Sequence, residues 1–239
     1  MTVLLVPGFM ADADLWRDVE AALAPWGPIR HADTSRDKTI VAMAERALAE
    51  VEGTFIIIGF SMGGYVAREV ARLASERVQA LVLVATSARG DTSEQARRKA
   101  SAAEQVASLS GFAGIGRSVV ASALHPDRAR DEALVSRIQA MALRLGGEVF
   151  RRQSLMPREG DLAELRSIRC QTLVIAGRQD RVRSIAEAEE LHAGIPGAEL
   201  RILEEAGHML PMEVGADLAA AVTAWLGPCL RRTGVGCFP

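Results

Sequence analysis

Short apolar runs, many of them β-branched, recur along the chain at residues 3–6, 55–58, 78–84, 172–175 and 199–203. Most are continuous rather than alternating, the pattern of strands buried on both faces of a parallel sheet. Alanine-rich stretches with helical spacing lie between them, at 39–51, 62–74, 184–193 and 213–226. Strand alternating with helix predicts an α/β fold with a mostly parallel central sheet, and right-handed crossovers put helices on both faces.

One stretch breaks this rhythm. Residues 88–164 hold no convincing strand, whereas helical patterns recur at 92–109, 112–121, 130–145 and 148–155. Glycines, His125-Pro126 and Pro157 punctuate it. A strand of apparently one sheet stands on each flank, so the stretch reads as a helical cap inserted into the core rather than as a separate helical domain. The expected division is a core of residues 1–87 and 165–227, a cap of 88–164 and a C-terminal tail of 228–239, loosely held because periodicity fades after Leu226.

Composition narrows the field. Hydrophobic residues make up 49% and charged ones 24%, the balance of a globular protein with a sizeable core. Aromatics contribute only 4%, which leaves the core to Val, Leu, Ile and Ala. A net charge of -2 offers nothing to nucleic acid or an anionic membrane. No apolar run of membrane-spanning length occurs, and residues 1–8 lack the charged start of a signal peptide. Cys170, Cys229 and Cys237 lack metal-ligand spacing; Cys229 and Cys237 are near enough to pair, but reduced thiols and a cytoplasmic location are expected.

The chemistry centres on Gly59-Phe60-Ser61-Met62-Gly63, where an apolar run passes into a helix. A serine on so tight a turn presents its hydroxyl above the sheet, and residues two before and two after must lack side chains. Gly59 and Gly63 satisfy that rule. The helix N-terminus directs free N–H groups at the same place, and the Met62 N–H is set to stabilise an oxyanion.

A serine hydroxyl needs a base, and the base an orienting carboxylate. Of four histidines, His208 alone follows a strand in a glycine-bearing loop, at the sheet end where ligands bind. His31, His125 and His192 have no such setting. Asp180 ends the run 171–176 and lies between serine and histidine in chain order, as this arrangement expects. Asp33, at the expected end of an earlier strand, and Asp91 and Asp161, in the cap and its edges, are rivals at less suitable places. The second oxyanion donor is expected after the first strand, where Gly8 allows close approach and Pro7 has no N–H, leaving Phe9 or its neighbour Met10. Met10, Phe60 and Met209 are candidate walls of a substrate pocket. The cap arginines Arg144, Arg151 and Arg152 read as a solvated face, and Met141, Leu145 and Leu155 as packing between cap and core.

On these residues the chain resembles the α/β-hydrolase superfamily, in its small cap-bearing esterase-like branch. The resemblance rests on L-L-V-P-G-F-M, G-F-S-M-G-G-Y, L-V-I-A-G-R-Q-D and E-A-G-H-M-L-P-M-E, in that order. It implies a triad of Ser61, Asp180 and His208, with backbone donors from Met62 and the Phe9 region. The chain departs from the pattern in starting on what resembles the family's third strand. It also carries Pro7-Gly8 where a His-Gly pair is common, and lacks a proline after Asp180.

The expected reaction is hydrolysis of a small-molecule carboxylic ester through an acyl-enzyme, without metal or organic cofactor. Thioester, lactone, amide or C–C hydrolysis and cofactor-free perhydrolysis use the same groups. An aspartate-nucleophile enzyme is disfavoured by Ser61. A ligand-sensing or partner-binding protein on this fold is the reading of another class.

Overall fold

The computed structural model describes residues 1–108 and 111–232. Six strands form one parallel sheet: β1 (Thr2–Val6), β2 (Ile29–His31), β3 (Phe55–Phe60), β4 (Val78–Val84), β5 (Gln171–Gly177) and β6 (Glu199–Leu203), ordered β2-β1-β3-β4-β5-β6. Alternation along each central strand feeds two apolar layers. Val3, Leu5, Ile56, Ile58, Val82 and Val84 face one layer; Leu4, Val6, Phe55, Ile57, Leu81 and Leu83 face the other.

Helices α2 (Ile40–Ala49), α3 (Met62–Leu73) and α7 (Ile185–Gly194) cover the second face. The first is covered by α1 (Arg17–Leu23) and α9 (Gly215–Arg232). Their starts follow ordinary capping chemistry: Thr39 accepts from Ala42 N–H, and Ser184 with Glu187 forms a capping box.

Between β4 and β5 the described chain is helical: α4 (Ser93–Ser108), α5 (Arg117–Ala123) and α6 (Glu132–Leu155), then a 3-10 turn at Leu162–Ser167. Val120, Leu124, Leu134, Val135, Ile138 and Met141 join the apolar layer of the sheet, so this segment shares the core. Its two ends cross at a narrow neck. Asp91 N–H donates to the Arg158 carbonyl and Asp161 N–H to the Ala88 carbonyl, both at 2.9 Å. A Cβ on Gly90 would stand 2.8 Å from Gly160 N, so the crossing needs glycine.

Several elements differ from the sequence reading. The helical turns spanning 13–26 were not expected, and the strand expected to end near Asp33 is the short edge strand β2, which stops at His31 because Ile29-Arg30-His31 is half exposed and shows no apolar run. The helix expected at 112–121 starts only at Arg117, after the glycine-rich stretch 111–116. The helices expected at 130–145 and 148–155 run together as α6, with a break at Gly146 (φ 79°, ψ 172°). The helix expected at 213–226 is two: a short α8 (Leu210–Glu213) and then α9. α9 passes through Pro228 to Arg232, because Leu226, Cys229 and Leu230 extend its buried stripe at helical spacing. Cys237 and the rest of the tail lie outside the described residues, as does any pairing of Cys229 with it. Leu155 is exposed rather than packed, while Met141 is fully buried.

The neck is pinned to α3 by charge. Arg68, fully buried, donates through Nε and Nη2 to both Asp161 oxygens at 2.8 Å, and Arg72 adds a third bond at 2.9 Å. Burial raises the Asp161 carboxyl, but the hydrogen bonds and charges of Arg68 and then Arg72 outweigh it and hold it below its ordinary value. A depressed folded value means stability present above the unfolded aspartate value, near ~4, and lost as pH falls through the folded one. Asp161→Asn leaves Arg68 buried and uncompensated. It is expected to cost about 3–5 kcal/mol in denaturant unfolding and to flatten the acid side of the stability profile. An unchanged midpoint and acid slope would refute this pinning role.

Candidate active site

Strand β3 ends on Phe60, and α3 begins at Met62. Ser61 between them has φ 51° and ψ −113°, outside the regions open to most non-glycine residues. Its N–H still pairs with the Val84 carbonyl at 2.9 Å, and Thr86 Oγ1 donates to its carbonyl at 2.7 Å. The glycines are sterically required. A Cβ on Gly59 would lie 2.4 Å from the Gly63 carbonyl oxygen, one on Gly63 2.2 Å from that of Val6, and one on Gly64 2.4 Å from Thr86 Oγ1.

His208 and Asp180 come to this turn from the ends of β6 and β5. His208 Nε2 is 3.0 Å from Ser61 Oγ, and His208 Nδ1 is 2.8 Å from Asp180 Oδ2. The other Asp180 oxygen accepts the N–H groups of Val182 (2.7 Å) and Arg183 (2.9 Å), which fixes the carboxylate plane. Phe60 packs against the imidazole, ring centres 5.1 Å apart, with Trp16 on its other side at 6.5 Å.

The rival residues are engaged elsewhere. Asp33 accepts from Ser35, Asp91 pairs with Lys99, and Asp161 holds Arg68. His31 lies 3.1 Å from Glu20, His125 Nδ1 accepts from Asp127 N–H, and His192 is exposed on α7. Burial pushes the Cys170 thiol up to about 11, so it stays protonated. Among the described residues no three His, Cys, Asp or Glu side chains gather as a metal site.

The N–H groups of Met62 and Phe9 have no acceptor among the described residues. That of Met10 is taken: it donates to Gln153 Oε1 at 2.8 Å, with Met10 at φ 52°. Gln153 is buried on α6, and its Nε2 donates to the Thr34 carbonyl at 3.1 Å. One side chain thus ties α6 to the loops after β1 and β2. Beside it, Phe9 packs edge-on to Phe150 of α6, ring centres 5.5 Å apart.

Arg144 and Arg152 are not simply solvated. Arg144 bonds both oxygens of Asp12 in the loop after β1, and Arg152 donates to the Ser35 carbonyl. Arg151, half-buried, pairs with Glu148 of its own helix.

A second clamp holds the histidine loop. The buried Glu213 carboxylate accepts Met209 N–H at 2.9 Å and His125 N–H at 2.6 Å, the latter just past α5. His208 N–H itself donates to the Ala123 carbonyl at 2.7 Å. Burial raises the Glu213 carboxyl above its ordinary value, opposed by the backbone N–H groups of His125, Met209 and Gly207. Neither Gln153 nor Glu213 was singled out from the sequence. A polar residue on the core-facing side of a predicted helix is the signal that marks Gln153. The nominated pocket residues are all buried: Met10 on the Gln153 clamp, Phe60 against His208, and Met209 on the Glu213 clamp.

A family model described as "Alpha/beta hydrolase family" matches residues 3–221. Two curated relatives are named as the dihydrolipoyllysine-residue acetyltransferase component of an acetoin cleaving system. That from Cupriavidus necator is 30% identical over 95% of this chain, and that from Pseudomonas putida 30% over 94%. The chain spans 63% of each relative's length. Among solved structures, a thermophilic esterase from Thermogutta terrifontis superposes with a TM-score of 0.83 at 25% identity, covering 96% of this chain and 90% of that one. The enol-lactonase from Burkholderia xenovorans shares the fold, with a TM-score of 0.78 at 21% identity over 94% and 90%. With a match running from the first strand into the C-terminal helix, the chain belongs to the alpha/beta hydrolase family.

Proposed function

We propose that the chain is a serine hydrolase acting on a small carboxylic ester by two-step acyl transfer. The observation that carries this reading is the unbroken contact from Ser61 Oγ to His208 to Asp180, at 3.0 and 2.8 Å. His208 Nε2 takes the serine proton as Oγ attacks the acyl carbon. Negative charge then develops on the carbonyl oxygen, against the unengaged N–H groups of Met62 and Phe9. Of the two candidates for the second donor, Phe9 is the one with a free N–H, since Met10 is committed to Gln153. The imidazolium returns its proton to the leaving alcohol. Water, deprotonated by His208, attacks the acyl-enzyme and releases the acid. Asp180 keeps Nδ1 protonated and opposes the positive charge throughout.

Phe60 and Met209, adjacent in sequence to the two reacting groups, are the proposed walls of the acyl side. A cytoplasmic location belongs to the same reading; among the described residues no helix is long and apolar enough to cross a membrane. The esterase likeness supports ester cleavage. The relatives named as acetyltransferase components favour a second outcome on the same groups, transfer of the acyl unit to an acceptor other than water. Product analysis with an added alcohol or thiol separates the two.

A fluorophosphonate is expected to label Ser61 at one equivalent, and Ser61→Ala to lose at least about 10³-fold in kcat on short p-nitrophenyl esters. Labelling at another residue, or near-full turnover by that variant, would overturn the reading.

Gln153 offers a separate test, as a positioning residue. Gln153→Ala strands the Met10 N–H and loosens the loop that carries Phe9. Because an oxyanion donor acts in the transition state, kcat is expected to fall about 10–100-fold with KM little changed. Gln153→Glu keeps the acceptor for Met10 but sets a carboxylate oxygen against the Thr34 carbonyl, so it is expected to recover only part of the loss. A variant that lowers the melting temperature alone would show Gln153 to be structural only.

A further inference from the structure

Away from the serine, the neck gathers an unbalanced set of charges. Lys99 Nζ lies 2.5 Å from Asp91 Oδ2, and Asp91 N–H donates to the Arg158 carbonyl. Arg183 stands over the Tyr65 ring, 5.9 Å from its centre, and the Tyr65 hydroxyl donates to the Arg89 carbonyl at 2.7 Å. Lys99 from α4, the chain at Arg158 on the returning side of the neck and, through Tyr65, Arg183 from the loop after β5 thus all meet residues 89–91.

Their partners do not match them in number. Asp91 answers Lys99, and Glu187 answers Arg183 at 3.1 Å. Arg89 is paired outward with Glu190. The Arg158 guanidinium has no hydrogen bond or ion pair among the described residues, and its buried Nε lacks an acceptor, as does Arg183 Nε. Burial lowers the Arg158 guanidinium from its ordinary value; Asp91 opposes this and the charge of Arg183 adds to it. Burying guanidinium Nε donors without acceptors is costly, so the arrangement fits a missing acceptor.

We propose that Lys99, Arg158 and Arg183 form an oxyanion-binding site at the neck, taking a carboxylate or phosphate group. The planar fork of Arg158 suits two-point binding of either group, and Lys99 adds a point charge. The site borders the reacting groups. Tyr65 is one helical turn beyond Ser61, and Arg183 N–H donates to Asp180. The bound group has two chemical sources, a charged end of the substrate or a free anion that sets the neck.

Both are tested with the intact chain and Arg158→Gln, which removes a half-buried guanidinium with no ion pair among the described residues and is expected to melt no lower than wild type. Calorimetric titration with inorganic phosphate needs no turnover, so it is independent of the role given to Ser61. Wild type is expected to bind phosphate and R158Q to lose that binding. In parallel, KM is compared for p-nitrophenyl hemisuccinate, which is anionic, and p-nitrophenyl butyrate, which is neutral. A rise of about tenfold for the hemisuccinate alone in R158Q, the size set by losing a charge-assisted pair, assigns the site to the substrate. Lost phosphate binding with both KM values unchanged assigns it to a free anion. Phosphate binding that survives R158Q overturns the proposal, as does absent wild-type binding with no KM difference. Lys99→Gln repeats both arms should R158Q fail to fold.

Discussion

The backbone of Ser61 is the constraint on which the rest of the site depends. A non-glycine residue at φ 51°, ψ −113° costs on the order of 1–3 kcal/mol, and it persists only where its surroundings over-determine it. Here they do. The turn is held from β4 by the Val84 carbonyl and Thr86 hydroxyl, and from within by three glycines that admit no Cβ. The same absence of side chain at Gly63 lets the carbonyls of Val6 and Pro7 press against the start of α3. One steric requirement therefore both lifts the serine and brings the loop bearing Phe9 beside it.

The helical segment is built into this site rather than laid over it. Gln153 of α6 holds the loop after β1, while the stretch just past α5 supplies the His125 N–H that Glu213 shares with the histidine loop. The Ala123 carbonyl takes the His208 N–H directly. Two buried polar side chains thus couple the segment to both halves of the proposed machinery. In a low-dielectric interior such bonds are strong when made and costly when broken, so the loops have little freedom to drift.

What was legible in the sequence follows from how local each signal is. The serine turn was readable because its steric rule is written in adjacent residues, Gly59 and Gly63. His208 and Asp180 were readable because each ends an apolar strand and a parallel sheet brings such ends together. β2 was legible only as a strand expected to end near Asp33, since a three-residue edge strand with one exposed side carries no run that would fix its bounds. Gln153 and Glu213 act on backbone groups up to 143 residues away, and nothing near them in sequence announces a partner. Asp161 shows the same limit from the other side. It was weighed as a rival acid, but Arg68, 93 residues earlier, claims both of its oxygens. Between Phe9 and Met10 the sequence offered no distinction, whereas the Gln153 contact engages the Met10 N–H.

Charge around the neck divides unevenly between two arginines, Arg68 of α3 and Arg158 on the returning chain. Arg68 is completely buried, yet Asp161 and the Ser87 carbonyl meet its Nε and Nη2. Arg158, three residues before Asp161, has its backbone in the neck crossing but, among the described residues, no acceptor for its guanidinium. The first arrangement makes structure: a carboxylate on the returning chain locks it to α3. The second has no structural return, because an unpaired cation weakens the place that holds it. Sites where a fold keeps such a local conflict are those where function, rather than folding, selects the residue. The neck is therefore both the mechanical joint of the helical segment and a place beside the serine turn where, among the described residues, a guanidinium lacks a partner.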